Sequence, residues 1–251
     1  MILFLRSTLF LLWFGAVSVL MNVGLLPLLL LPRRATFIAA HIWSRLVLFG
    51  LRWIAGTGVE VRGRLSEPRV LVASKHFSMW ETMAFLSLLP RPAIVLKQSL
   101  LNIPLYGWYC RKMQMIAIDR SAGAKAIRVM GAAAKHALDE DRPVVIFPEG
   151  TRKNPGARPD YKPGVAALYS LLSAPCVPVA HNSGLYWNGF WKRPGTIVVE
   201  FLDPIPPGLS RQAFMIELEQ RIEAATNRLL EEGNTSAHSR EGIGMDYKRP
   251  I

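Results

Sequence analysis

The sequence predicts an α/β fold: a mainly parallel sheet flanked by helices, preceded by an N-terminal membrane-associated helical segment. Three observations carry this reading. Short apolar runs of strand length alternate with helix-length segments from residue 59 to residue 231, the pattern that buries a parallel sheet between helices. Residues 1–59 contain no Asp or Glu, and the 26 residues between Arg6 and Arg33 carry no charge at all. The chain as a whole holds 30 Lys+Arg against 18 Asp+Glu, a net charge of +12. At 51% hydrophobic and 19% charged residues, wholesale disorder is excluded, and 251 residues suffice for one catalytic domain plus an appendage.

Taken in order, the uncharged 26-mer comes first. As one helix it would extend about 39 Å, more than a bilayer core of about 30 Å. Backbone in lipid must bond to itself, which nearly forces a helix, and Pro27 with Gly24 kinks that helix or bends it back. A cleaved signal peptide fits less well, because its apolar region would be about 7–15 residues and followed by a small-residue cleavage site. In residues 35–55, Ile38, Ile42, Leu46, Phe49 and Trp53 recur at three- and four-residue steps, with His41, Arg45 and Arg52 between them. This is the pattern of an amphipathic helix lying at a membrane surface. Arg33, Arg34, Arg45 and Arg52 follow the apolar stretch and only Arg6 precedes it, so the positive-inside tendency puts the body of the protein in the cytoplasm.

Strands are predicted over 59–62, 69–74, 93–97, 115–119, 144–147, 176–180 and 196–202. Helices are predicted between them, over 80–89, 103–112, 122–138, 163–172 and 211–231. The last has Phe214, Leu218, Ile222, Ala225 and Leu229 on one stripe, and Gly233 suits its C-terminal stop. Residues 234–251 lack periodicity and read as a flexible tail. The expected division is a membrane-associated helical segment over 1–56, an α/β catalytic domain over 57–233, and that tail.

Several chemistries drop out at once. The chain has no G-x-S-x-G elbow, H-E-x-x-H pair, Walker loop or G-x-G-x-x-G turn. Cys110 and Cys176 are too few for a disulfide framework, and no metal-type Cys/His spacing surrounds them, so neither a metal nor another cofactor is expected. The basic balance favours anionic partners, but without long Lys/Arg clusters nucleic acid is not expected.

Four stretches can carry chemistry. The first runs from Ser74 to Glu81 across a strand-to-helix turn. With a helix starting at Ser78, His76 lies on the preceding turn and can fold back onto Glu81, which would fix the ring's tautomer and free its other nitrogen for a proton. Ser78-x-x-Glu81 is equally a capping box, and both readings stand. The second is Phe147-Pro148-Glu149-Gly150-Thr151-Arg152 after an apolar strand, where Gly150 allows close backbone approach and Thr151 and Arg152 supply donors suited to phosphate. The third is Met115-Ile116-Ala117-Ile118-Asp119-Arg120, a strand delivering a basic residue at its end. The fourth, Val177-Pro178-Val179-Ala180-His181-Asn182-Ser183-Gly184, suggests a pocket wall, with His181 as a second titrating group.

In this order the four stretches resemble the glycerophospholipid acyltransferase family, most closely the 1-acylglycerol-3-phosphate acyltransferases, over roughly residues 35–232. The resemblance implies that His76 is a general base held by Glu81. It implies that Lys97, Arg120 and Arg152 grip the acceptor's phosphate, and that Glu149, Gly150 and Thr151 belong to the acceptor-binding signature. It further implies a lysophospholipid acceptor, an acyl-CoA or acyl carrier protein donor, and membrane lipids as surroundings. The family's usual acid five residues after the histidine is Asp, whereas this chain has Glu81. That difference leaves open another acceptor, a lyso-ornithine lipid or glycerol 3-phosphate. A reading from a different class is a non-enzymatic basic membrane-binding protein.

Overall fold

The computed structural model describes residues 1–119 and 122–245, the last ten of these by backbone alone. Seven strands form the main sheet: β1 (Thr57–Arg62), β2 (Leu71–Ser74), β3 (Ala93–Lys97), β4 (Ile116–Ile118), β5 (Val144–Ile146), β6 (Cys176–His181) and β9 (Gly195–Phe201). Their spatial order is β1-β9-β6-β2-β5-β3-β4. Every neighbouring pair is parallel except β6 with β9, where the direction reverses. The sheet is thus mainly parallel, as the sequence predicts.

Successive residues of the central strands face opposite sides. Val72, Val145, Val177 and Val179 point into one core; Leu71, Ala73, Val144, Ile146 and Cys176 point into the other. Both faces are therefore buried, which explains why these strands read as unbroken apolar runs. One face is covered by α1 (Ile2–Gly24), α2 (Arg33–Gly50) and α3 (Trp80–Leu88). Covering the other are α5 (Gly123–Asp139), α6 (Gly164–Leu172) and α8 (Arg211–Met245). A short α4 (Tyr106–Lys112) packs its Tyr109 and Met113 against Phe37 of α2.

The N-terminal stretch does not form one long helix. It ends at Gly24, turns through a 3-10 segment (Leu26–Leu30) with Pro27 in its first turn, and returns as α2. Trp13 Nε1 donates to Leu46 O at 3.0 Å and Trp43 Nε1 to Ser18 Oγ at 3.1 Å, closing the hairpin. Its inner face joins the domain core through Phe10, Val17, Val47, Leu51 and Ala55. Its outer face is apolar and exposed: Leu5, Leu9, Leu12 and Leu20 on α1, then Ile38, Ile42, Phe49 and Trp53 along and just past α2. Of the stripe expected for α2, Ile38, Ile42, Phe49 and Trp53 point away from the protein, while Leu46 is half-buried against the shared core. The boundary expected near residue 56 is crossed by a shared core, so the hairpin and the α/β layers are one packed body.

Two features depart from the sequence reading. A hairpin of β7 (Trp187–Asn188) and β8 (Trp191–Lys192) follows a single helical turn α7 (Ser183–Tyr186), and neither was expected. In addition, α8 does not stop at Gly233 but continues to Met245, so part of the expected tail is helical; residues 246–251 lie outside the described residues. The physical reason is packing. A Cβ on Gly233 would come within 2.6 Å of Leu185 Cδ1 and 3.0 Å of the Tyr186 hydroxyl, so glycine there lets these side chains approach closely rather than ending the helix.

Candidate active site

The carboxyl ends of β2, β3, β4, β5 and β6 share one edge of the sheet, where α/β folds place their sites. Strand β2 delivers Lys75 and His76 there, β5 delivers the turn from Phe147 to Arg152, and β6 delivers His181, Asn182 and Ser183.

The turn between β2 and α3 folds around one carboxylate. Glu81 is fully buried. Its Oε1 accepts from the Phe77 amide at 2.6 Å and the Ser78 amide at 2.7 Å, and lies 2.9 Å from His76 Nδ1. Its Oε2 accepts from Ser78 Oγ at 2.9 Å and Ser183 Oγ at 3.2 Å. Ser78 Oγ also accepts from the Trp80 amide at 3.0 Å. Glu81 thus closes one half of the expected capping box by reaching back to the Ser78 amide, while Ser78 Oγ takes the Trp80 amide rather than that of Glu81, and the same carboxylate orients His76. Burial alone would raise the Glu81 carboxyl. His181, the hydrogen bond and charge of His76, and the Ser78 amide outweigh burial and hold the group at about 2. Glu81 is thus an anion throughout the neutral range.

Against that anion His76 donates through Nδ1, which leaves Nε2 as the ring's proton acceptor. The ring stacks on Phe147 at 4.1 Å between centroids, and its side chain keeps 14% exposure. Among the described residues no hydrogen bond engages Nε2. A histidine held this way can take a proton from a hydroxyl brought to its open edge.

The second motif docks onto the first. The Lys153 amide donates to His76 O at 2.9 Å, and the Gly150 amide to Phe147 O at 2.9 Å, with Gly150 at φ +66° where a side chain would be strained. Thr151 and Arg152 are exposed beyond this turn. Arg152 lines a cavity of about 360 Å³ together with Phe77, Ser78, Met79, Asn154 and Trp187. A cation and an amide therefore share that cavity with the residues immediately after His76.

Glu149, expected among the acceptor-binding residues, turns inward instead. It is 1% exposed, and its Oε1 accepts from Lys75 Nζ at 3.0 Å. Lys75 Nζ also donates to Glu223 of α8 at 2.7 Å, and the Tyr161 hydroxyl donates to the same Glu223 oxygen at 2.9 Å. Burial raises the Glu149 carboxyl, opposed by its bond to Lys75. This buried cluster ties the first two motifs to the last helix. Lys97 is exposed at the end of β3 on the same sheet edge. Arg120 lies outside the described residues. Burial pushes the Cys110 thiol up to about 11 and that of Cys176 higher still, so both are poor nucleophiles.

The sequence reading missed the parts Lys75 and Ser183 play, since each depends on a partner more than 70 residues away. It also missed the β7–β8 wall of the cavity, although Asn188-Gly189 between tryptophans is a recognisable hairpin signal.

Comparison with known proteins identifies the family. An acyltransferase family model matches residues 58–182. The chain is 34% identical over 208 residues to a 1-acyl-sn-glycerol-3-phosphate acyltransferase of Pseudomonas aeruginosa, covering 81% of each protein. It is 33% identical over 172 residues to the human 1-acyl-sn-glycerol-3-phosphate acyltransferase alpha, covering 64% of this chain and 60% of the human protein. The crystal structure of the 1-acyl-sn-glycerophosphate acyltransferase of Thermotoga maritima superposes with a TM-score of 0.73 at 18% identity, covering 89% of this chain and 96% of that one, and so shares the fold. With its paired histidine and acid, its Phe-Pro-Glu-Gly-Thr-Arg turn and these relatives, the chain belongs to the acyltransferase family.

Proposed function

We propose that the protein transfers a fatty acyl group from a thioester, carried by CoA or by acyl carrier protein, to the sn-2 hydroxyl of 1-acyl-sn-glycerol 3-phosphate, making phosphatidic acid. The observation that carries the reading is the buried Glu81 carboxylate, which takes five hydrogen bonds and leaves His76 Nε2 unengaged among the described residues, on the turn whose next residues line a cavity with Arg152. The names of the relatives, 1-acyl-sn-glycerol-3-phosphate acyltransferases, support the acceptor.

His76 Nε2 removes the hydroxyl proton as that oxygen attacks the thioester carbonyl carbon. A C–O bond forms, the carbonyl becomes tetrahedral, and collapse breaks the C–S bond. The proton passes from His76 to the departing thiolate. Glu81 stabilises the imidazolium that forms in between, and general-base help of this kind is worth about 10²–10⁴-fold. Arg152, with Lys97 and Arg120, binds the acceptor phosphate; Thr151 and the Gly150 backbone shape the turn that presents it. Ser78 and Ser183 both donate to Glu81, which favours direct transfer over an acyl-enzyme.

The hairpin supports a site of action at lipid. Two apolar N-terminal helices are consistent with membrane association. The domain holds α1 near both of its ends: the Lys192 amide donates to Ser7 Oγ at 3.0 Å, and the Tyr109 hydroxyl to Asn22 O at 2.9 Å. Those contacts are 15 residues, about 22 Å, apart along the helix. A helix fastened along its length to a water-soluble body lies in the plane of one leaflet rather than through it, with the catalytic domain on the cytoplasmic side.

The test is purified protein in mixed micelles, offered lysophosphatidate, glycerol 3-phosphate and a lyso-aminolipid, each with acyl-CoA and acyl carrier protein donors, with products identified by mass. Phosphatidic acid from wild type, and less than a tenth of it from His76→Ala, is the expected result. Acylation of a different acceptor alone would overturn the substrate assignment.

A further inference from the structure

His181 is completely buried, and Nδ1 of its ring has no hydrogen-bond partner among the described residues. Nothing in the transfer chemistry uses it directly. Its contacts fall on the two residues that flank His76. Nε2 lies 2.8 Å from Lys75 O, and the ring packs edge-on against Phe77 at 5.4 Å between centroids. A carbonyl oxygen can only accept, so Nε2 carries the proton and donates it. Lys75 O also accepts from Ser74 Oγ at 3.0 Å, which fills both of its lone pairs. Two residues further on, Ser183 Oγ donates to Glu81 Oε2.

The end of β6 and the residues just after it thus grip the β2–α3 turn on both sides of His76 and also the carboxylate that orients it. Burial pushes the His181 imidazole down, opposed by the neighbouring Glu81 charge and the bond to Lys75 O. Lys75 N bonds to Val179 O at 3.1 Å, extending the β2–β6 ladder up to this point. Beyond it the backbone leaves the ladder, and His181 supplies the next fixed contact. The neighbouring Asn182 anchors the grip in the fold: its Oδ1 accepts from the Val198 amide at 2.8 Å and its Nδ2 donates to Leu229 O at 3.2 Å.

We infer that His181 is a positioning residue for the transfer reaction, fixing the backbone on either side of His76 so that Nε2 is held at the angle needed to take the hydroxyl proton. The inference rests on the proposed role of His76. The charged and titratable groups around the ring are Glu81, His76 and Lys75. Trp80 also packs against it, at 6.2 Å between centroids. None of these replaces a donor to Lys75 O on the side opposite Ser74.

Two substitutions read the contact. A glutamine places its amide nitrogen close to where imidazole Nε2 sits, so His181→Gln can still donate to Lys75 O; the shorter His181→Asn cannot reach it. Both variants are assayed with the acceptor and donor that wild type turns over. In parallel, the low-field proton resonance of His76 Nδ1–H, bonded to a buried carboxylate, is followed by NMR in micelles. His181→Asn is expected to lower kcat about 10- to 100-fold with both KM values within twofold of wild type, and to shift or broaden that resonance. His181→Gln should keep at least a third of kcat and the wild-type resonance. Equal impairment of the two variants, or full kcat in Asn, would overturn the inference. Should Asn not fold, a folded Gln variant that loses more than tenfold in kcat would overturn it alone. If wild type acylates no acceptor offered, the proposed function fails, while the resonance arm still reads the contact.

Discussion

Replacing Glu81 by glutamine separates an orienting anion from a helix cap, because shape is kept and only charge is lost. Gln can place its carbonyl where Oε1 receives the two amides and His76, and its amide toward Ser78 and Ser183, whose hydroxyls rotate to accept. Holding the carboxyl at about 2 against a usual 4.5 corresponds to about 3 kcal/mol in favour of the ion. That preference is shared among His181, His76 and Ser78, so about 3 kcal/mol is the ceiling for His76 alone. The floor is the difference between a charge-assisted and a neutral hydrogen bond, about 1–1.5 kcal/mol. The expected loss in kcat for Glu81→Gln is therefore roughly 10- to 150-fold, with acceptor KM nearly unchanged. Initial rates in mixed micelles check it, beside a thermal melt. A carboxyl lowered in the folded state stabilises fully above about pH 4.5, and the contribution fades as pH falls toward 2. The melting difference between wild type and Glu81→Gln should accordingly narrow over that window. A Gln variant within twofold of wild-type kcat, with an unchanged melt, would reduce Glu81 to a helix cap and refute the reasoning.

Further outcomes are expected of other substitutions. Arg152→Ala should raise the acceptor KM about tenfold or more, the worth of a lost charged contact, and leave the thioester KM alone; steady-state kinetics with each substrate varied will show it. Phe10→Ala removes a ring packed edge-on to Trp187 at 5.3 Å in the shared core and should cost about 3–5 kcal/mol, seen as a fall in Tm of roughly 6–20 °C. By the same argument, deleting residues 1–34 should give aggregated protein rather than a soluble domain with residual activity, as size-exclusion chromatography in detergent would reveal. Gly233→Ala should destabilise by about 1–3 kcal/mol through its clash with Leu185, whereas a mid-helix glycine without that neighbour would gain from alanine; denaturant melts distinguish the two.

Much of the fold was legible because both faces of the central strands are buried, which turns 71–74 and 144–146 into plain apolar runs. His76 and Glu81 were legible because a capping-box geometry puts residues three and five apart at one helix start. The inward turn of Glu149 was not, because its partners Lys75 and Glu223 come from elements far apart in the chain. The C-terminal extension of α8 was hidden for a related reason: a glycine needed for close packing carries the same letter as a glycine that ends a helix. The stripe of α2 could be read, but periodicity alone does not say whether an apolar face meets lipid or protein. The inner face of the hairpin meets the domain core, and its outer face is exposed.

The bond between Ser7 and Lys192 has a consequence for how the chain is made. Its two ends are 185 residues apart, and among the described residues β1 likewise pairs with β9 alone, well over a hundred residues later. At about 5–20 residues per second, a ribosome exposes the apolar hairpin roughly 10–40 s before the surface that receives its inner face exists. During that interval α1 and α2 can pair with each other, but the inner face they share has no sheet to cover it. The sheet can close at β1 only after β9 arrives, so the first fifty residues stay incompletely packed until synthesis is nearly complete.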